Sequence, residues 1–316
     1  MAKQEQVEKV LAMPAVPLGY RELGTQVAGH RFEASNASAV GLLQDGGGEG
    51  CVFKPMGKPE CGEREINFMS DSNESNDSAL LAELSMYVPR YYGQLKLVVN
   101  QREHTFLQLQ DLTHGMRNPC VMDVKVGRRT WDPLSSPHKR AIEEQKYVIC
   151  KQELGLCLPG FQVYQPAEEQ AGKPRLIRHG RDYGKSLNVQ GFHQALALFF
   201  NVSCKESHTL LHEVLRQLRS IRSWFKRQRL LHFYASSLLI CYDFEQLQQL
   251  KKPEQSLQNG YHQSETVAPP VAPDQWIRVR CIDFAHIFPA ADAAPDHNYM
   301  AGLQSLIDIV ESMLQR

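Results

Sequence analysis

The stretch PCVMDVKVGRRTWDP, Pro119–Pro133, joins residues that usually keep apart. Cys120, Val121, Met122, Val124 and Val126 have the apolar, partly β-branched character of a buried strand. Asp123 and Lys125 interrupt them two positions apart, and Gly127, Arg128 and Arg129 follow directly. Side chains two apart on a strand point to the same face, so a carboxylate and an ammonium share one side of an apolar ribbon. Two readings stand open here. One is an ion pair on a sheet surface, which contributes little net stability; the other is a pair of groups that grips a polar ligand.

Upstream, YYGQLKLVV and HTFLQLQDL read as strands, and LQLQDL breaks into a polar turn that suits a hinge. Before them, GEREINFM is a short helix carrying Glu65, and ALLAELSMYV is a helix that Asp77 would cap. HRFEASNASAVGLLQDGGGEGCVFKP reads as turn, strand, tight glycine turn and strand. Gly46, Gly47 and Gly48 lack the GxxxxGK(S/T) spacing of a phosphate loop and suit a hairpin reversal. For covering phosphates, the small residues of EASNAS, Glu33–Ser38, offer better-placed backbone N–H groups. The order hairpin, helix, strands makes a small α+β lobe over 23–112, preceded by a tail over 1–22.

Downstream the pattern turns helical. SSPHKRAIEEQKYVICKQELG has a serine cap, Pro137 in the first turn and Gly155 as the stop, which predicts one helix. Lys139, Glu143 and Lys146 then share a face beside Ile142 and Ile149. SHTLLHEVLRQLRSIRSWF is amphipathic, with Leu211, Val214, Leu218, Ile221 and Phe225 at helical steps. The basic run RSWFKRQR, Arg222–Arg229, continues this helix and reads as its solvated face rather than a nucleic-acid patch. Strands reappear at ASSLLICYD and WIRVRCIDF, separated by a Pro/Ser/Gln-rich stretch, about 252–275, that reads as a disordered insertion. NYMAGLQSLIDIVESML closes a second, larger lobe over 113–316 as a core-packed helix.

Composition bounds the chemistry. The formal net charge of the 316 residues is zero, so nucleic acid is not an expected partner and a highly charged ligand needs a local cluster. The 8 cysteines are scattered without a CxxC pair, which suits reduced thiols in the cytosol or nucleus. The 12 histidines show no zinc-ligand spacing, and no segment reads as a signal peptide or membrane span.

Two further residues carry chemistry by position. Lys54 ends the strand CVFKP and is followed by Glu65 on the next helix, the pairing with which kinase lobes hold phosphates. Asp283 ends the strand CIDF, where a carboxylate suits Mg2+, a cation that needs only one or two such ligands. The chain has neither HRDxxxxN nor GxGxxG, which disfavours a protein kinase.

Together these pieces resemble the inositol polyphosphate kinase superfamily. PCVMDVKVG fits its PxxxDxKxG signature at Pro119, Asp123, Lys125 and Gly127, and SSLL at Ser236–Leu239 and IDF at Ile282–Phe284 follow in order. The resemblance runs from QVAGHRF to the C-terminal helix, and is closest to the multikinase branch through NPCVMDVKVG, FYASSLLICY and VRCIDFAHIFP. It implies an α+β, two-lobed kinase fold of ATP-grasp or protein-kinase type, with ATP and Mg2+ between the lobes. It also implies phosphorylation of inositol trisphosphate and tetrakisphosphate, at the 3- and 6-hydroxyls, toward the pentakisphosphate.

By the same resemblance Lys54 holds ATP phosphates, Glu65 orients Lys54, and Gln110 and Leu112 present backbone groups to adenine. Asp123 meets the ribose or acts as general base, Asp283 binds the metal, and Ser236 supports the metal's surroundings. Lys125, Lys139, Lys146 and His286 face the inositol phosphate, in inositol-binding helices over about 131–190. The branch has polar residues where this chain has Ile142 and Glu143, and an arginine about where it has Cys61. Soluble inositol phosphates are the expected substrates, with a phosphoinositide headgroup left open, in a monomer of the nucleus and cytoplasm. The competitors are an inositol hexakisphosphate kinase and a non-catalytic scaffold.

Overall fold

The structure is a computed structural model that describes residues 16–32, 39–74, 79–167, 172–250, 271–291 and 293–315. In chain order the first lobe comprises β1 (Tyr20–Glu22), β2 (Leu43–Asp45), β3 (Cys51–Pro55), α1 (Pro59–Glu74), α2 (Ala79–Leu84), β4 (Tyr91–Val99) and β5 (Arg102–Gln110). Its antiparallel sheet runs β1-β2-β3-β5-β4. The glycine hairpin forms as expected, with Leu43 opposite Phe53 and Glu49 N–H bonded to Asp45 Oδ2 at 2.7 Å. Strand β4 alternates half-buried and exposed residues, as a sheet with one solvated face does.

Residues 20–22, expected in the tail, instead add β1 to the edge of β2. The reason is packing: the Tyr20 ring meets Phe53 edge-on at 5.0 Å. EASNAS and Asp77 lie outside the described residues, as does 251–270 of the expected insertion. The last part of that insertion, Pro273–Trp276, is a short helix whose Trp276 is buried.

The larger lobe begins with β6 (Pro119–Val126), α3 (Pro137–Glu144), α4 (Val148–Leu154), β7 (Leu156–Gln165) and β8 (Arg175–His179). There follow α5 (Arg181–Ser186), α6 (Val189–Phe199), α7 (Ser207–Arg227), β9 (Leu231–Phe233), β10 (Ser237–Asp243) and α8 (Phe244–Gln249). The short helix Pro273–Trp276 is α9, before β11 (Ile277–Ile282), β12 (Ile287–Pro289) and α10 (His297–Leu314). The main sheet has the order β11-β10-β6-β7-β8, and β12 pairs with β9. The strand quoted at the outset is its centre, so its apolar residues are buried on both faces.

Helices α7 and α10 cover this sheet. The Leu211, Val214, Leu218, Ile221 and Phe225 stripe of α7 is fully buried, and Phe225 stacks on Tyr299 of α10 at 4.3 Å. Helices α1 and α2, though placed by sequence in the first lobe, pack into the core of the second. Phe68 meets Phe284 at 4.5 Å, and Trp224 Nε1 donates to the Leu80 carbonyl at 2.7 Å. The lobe boundary near Leu112 therefore divides the strands but not the apolar core.

The helix expected over Ser135–Gly155 is two helices. Its ends are as the sequence requires: Ser136 caps Lys139 N–H, Pro137 opens α3, and Gly155 closes α4 at φ +66°. Between them Tyr147 takes φ +53°, a left-handed conformation that interrupts the ladder. Its ring lies against Gly184, where an added Cβ would sit 3.3 Å from the ring. That contact packs the break against α5, and Lys146, just before it, still pairs with Glu143 of α3 at 2.6 Å.

Candidate active site

Residues from three separate parts of the chain, Lys54, Lys125 and Asp283, converge where the two sheets meet. Lys54, the penultimate residue of β3, places Nζ 2.7 Å from Glu65 Oε1 of α1 and 2.8 Å from Asp283 Oδ1. Lys125 reaches the same carboxylate from β6, with Nζ 3.4 Å from Asp283 Oδ2. The expected Asp123–Lys125 pair is therefore not a pair. The Lys125 ammonium passes Asp123 to bond Asp283, the Ala235 carbonyl at 2.8 Å and Ser237 Oγ at 3.3 Å. A register shift of β6 against β7 falls between the two residues, at Asp123–Gly160 and Lys125–Cys157.

Asp283 itself is held in the left-handed region at φ +64°, a conformation aspartate tolerates better than most residues. Two bonds fix it there. Ser236 Oγ donates to the Asp283 carbonyl at 2.8 Å, and Phe284 N–H donates to Glu65 Oε1 at 3.0 Å. Ser236 is fully buried. Its hydroxyl is spent on this main-chain bond, so it positions the Asp283 turn and does not face the cleft as a ligand. The last residue of the signature, Gly127, is glycine for a steric reason: its φ is +109°, and a Cβ there would collide with Asn298 Nδ2.

The charges compensate one another. Burial would raise the Asp283 carboxyl, but Lys54 and Lys125 hold it well below the usual carboxylate range. Burial alone would lower Lys54, yet Asp283 and Glu65 raise it above an ordinary lysine. Asp123 goes the other way: burial and the Asp283 charge push it up to about 6 against the pull of Lys125. Its Oδ1 is buried and has no hydrogen-bond partner among the described residues. An orphaned carboxylate oxygen beside a second, partly exposed carboxylate fits a hard divalent cation or a ligand hydroxyl. Among the described residues no three His, Cys, Asp or Glu side chains gather as a complete metal cage.

Two cavities flank this cluster and share Lys54, Glu65, Asp123 and Asp283 as lining. The first, about 650 Å³, lies between the sheets and is walled by apolar residues such as Val40, Val52, Leu109, Val121, Leu239 and Ile282. Gln110 and Leu112 line it at the hinge. Two of their main-chain groups are already committed, Gln110 N–H to the Arg90 carbonyl at 2.9 Å and the Leu112 carbonyl to Arg278 Nη1 at 2.6 Å. Arg278 thus ties the hinge to β11, a role its position in RVRCIDF did not disclose.

The second cavity, about 960 Å³, is lined by Lys125, Lys139, Lys146 and His286, the residues expected to face an anionic ligand. Lys151, Arg178, Arg181 and Lys185 join them from α4, β8 and α5. Sequence reading missed these because no motif marks them. It also passed over Asp132, although Asp132 stands within the opening stretch. Asp132 is buried, accepts from Ser135 Oγ at 3.0 Å, and lies 2.5 Å from His286 Nδ1 and 3.9 Å from Lys139 Nζ. Burial, with Lys139 close by, lowers the His286 pKa against the pull of Asp132, so the imidazole is neutral near pH 7 and donates Nδ1–H to that carboxylate. Glu143 and Cys61, the departures noted in the sequence, also line this cavity, whereas Ile142 is exposed.

A family model described as inositol polyphosphate kinase matches residues 106–311. The inositol polyphosphate multikinase of Mus musculus is 32% identical over 236 residues, covering 73% of this chain and 56% of that protein. Inositol hexakisphosphate kinase 3 of the same organism is 31% identical over 223 residues, covering 67% of this chain and 52% of that protein. The chain thus spans about half the length of these curated relatives. Among solved structures, the inositol phosphate multikinase Ipk2 from S. cerevisiae, in complex with ADP and Mn2+, is similar in fold. Its TM-score is 0.61 at 22% identity, over 84% of this chain and 99% of that one.

Proposed function

The chain belongs to the inositol polyphosphate kinase family, and we propose that it transfers the γ-phosphoryl group of ATP to a free hydroxyl of a soluble inositol polyphosphate. Inositol trisphosphate and tetrakisphosphate are the proposed acceptors, leading to the pentakisphosphate, as in a multikinase. The observation that carries this reading is the Lys54–Asp283–Lys125 cluster standing where an apolar cavity and a cationic cavity join. Adenine fits the apolar side and a polyanion the basic side, which puts the transferred group between them.

Phosphoryl transfer passes through a loose transition state, so these residues act by positioning and charge neutralisation. Lys54, oriented by Glu65, holds ATP phosphates. Asp283, with the unpartnered Asp123 oxygen nearby, would hold Mg2+, which neutralises charge on the phosphates. Asp123 offers that same oxygen to a ribose hydroxyl or to the acceptor's proton. Lys125 joins the two sides, Lys139, steadied by Asp132, meets acceptor phosphates, and His286, held by the same carboxylate, presents its free ring nitrogen to an acceptor hydroxyl. The ADP and Mn2+ of the S. cerevisiae structure support this choice of nucleotide and cation.

A second reading, an inositol hexakisphosphate kinase, is favoured by the nearly equal identity to that branch. A time course with ATP and each inositol phosphate, resolving product isomers, separates the two. A phosphoinositide in mixed micelles belongs in the same assay, because its headgroup carries the same phosphates. Lys125→Ala should abolish turnover while leaving the circular dichroism spectrum unchanged. Near-wild-type turnover by that variant would sink the site assignment. A monomer in the nucleus and cytoplasm is part of the proposal, and the scattered cysteines support a reducing compartment.

A further inference from the structure

A cavity that takes a polyanion has little use for a carboxylate, yet Glu143 lines the basic one. Its carboxylate is held from two sides. Lys146 Nζ donates to Oε1 at 2.6 Å and Thr130 Oγ1 to Oε2 at 3.4 Å. Its main-chain carbonyl accepts from Lys151 Nζ, a lysine that is itself only 4% exposed. The Glu143 side chain is 23% exposed. A solvated i,i+3 pair on a helix surface would have neither the Thr130 bond nor the buried lysine behind it.

Chemistry then divides the cavity. Lys125 and Lys139 offer only N–H groups to a ligand, and these suit phosphate oxygens. Ionised Glu143 offers only acceptors, which suit a hydroxyl donor. A phosphate placed there would have to draw Lys146 away and then sit beside an uncompensated carboxylate in a partly buried site. The charge of Lys146 is in this sense already used.

We propose that Glu143 makes the acceptor cavity selective for inositol phosphates that keep a free hydroxyl at this position, against more fully phosphorylated rings. The inference rests on the reading of the basic cavity as the acceptor site. It is tested by calorimetric titration of the full chain with inositol trisphosphate and with inositol hexakisphosphate. Glu143→Gln, which removes the charge and keeps the shape, should shift the affinity ratio toward the hexakisphosphate by roughly tenfold, while the charge-retaining Glu143→Asp should keep the wild-type preference. Lys146→Ala, which leaves the carboxylate uncompensated, should shift the ratio the other way. That variant decides the matter if Glu143→Gln does not fold. A ratio unmoved by Glu143→Gln and Lys146→Ala, in a protein that binds the trisphosphate, overturns this inference alone. A wild-type chain that binds neither ligand overturns the acceptor reading and this inference with it.

Discussion

The two cavities beside Asp283 are built by different means. The apolar one is enclosed largely by strands from both sheets, and its charged end is supplied mainly by residues on or just after strands: Lys54, Asp123 and Asp283. The basic one adds to strands β6, β7 and β8 the helices α1, α3, α4 and α5 and the loop after β6, and several of its polar groups, Asp132 and His286 among them, are ordered by contacts distant in sequence. Hydrogen-bonded strands fix side-chain direction within a residue or two. Short helices joined by a left-handed break do not, so each side chain there needs its own tether. The first region is suited to one invariant reaction. The second can be retuned one residue at a time.

That contrast predicts unequal consequences. The largest should come from Lys54→Ala, which strips Asp283 and Glu65 of their shared cation. Turnover should drop by about a thousandfold, the scale of losing a main electrostatic stabiliser of the transition state. Steady-state assays with saturating acceptor read this directly, and a loss of less than tenfold would mean that the strand-built cluster is not the reaction centre.

Asp132→Asn should act on the helix-built side in another kinetic parameter. Without the carboxylate, His286 and Lys139 lose their common anchor, and acceptor KM should rise about tenfold with kcat changed only a few-fold. An equal fall in kcat would place Asp132 with the reacting atoms and weaken the division drawn between the cavities. The same variant tests pH dependence. Burial would raise the Asp132 carboxyl, but Ser135, His286 and Lys139 hold it below the ordinary aspartate value. The unfolded chain therefore binds this proton first as pH falls. The stabilisation is complete above about pH 4 and is lost as pH drops through the lower folded value. Wild type should thus be the more stable at neutral pH in thermal melts, with its advantage over Asp132→Asn shrinking under acid.

The smallest effect should follow Arg278→Ala. Arg278 Nη1 holds the carbonyls of Leu112 and His114 at 2.6 and 3.2 Å, outside the cavities' charged centre. Loosening the hinge should raise ATP KM by about threefold, on the scale of one net hydrogen bond, and leave acceptor KM untouched.

Much of the strand-built region was legible in the residues themselves. The alternation and β-branching of PCVMDVKV marked a buried strand, and two charges on it could not be accidental packing once Lys54 and Asp283 stood at other strand ends. What the pattern misassigned was the partnership. Asp123 and Lys125 share a face, yet the register shift and a carboxylate 158 positions along the chain take the ammonium away. The tail boundary was missed because three residues of edge strand carry too little periodicity to detect. The first-lobe helices were assigned by order along the chain, whereas their apolar faces pack against the second lobe.

By itself the sequence determined the α+β character, the serine start of α3 and the glycine stop of α4, and the residues that surround Asp283. Each of these follows from propensity, face alternation or spacing, which are local properties. Tertiary structure alone decided the break at Tyr147, the hold of Asp132 on His286 and Lys139, the buried role of Ser236 and the tethering of Glu143. All four depend on which surfaces meet after folding: Tyr147 against Gly184, Asp132 under His286, Ser236 beneath the Asp283 turn, and Lys151 behind Glu143. A one-dimensional pattern carries the direction of a side chain on its own element, and not what arrives opposite it.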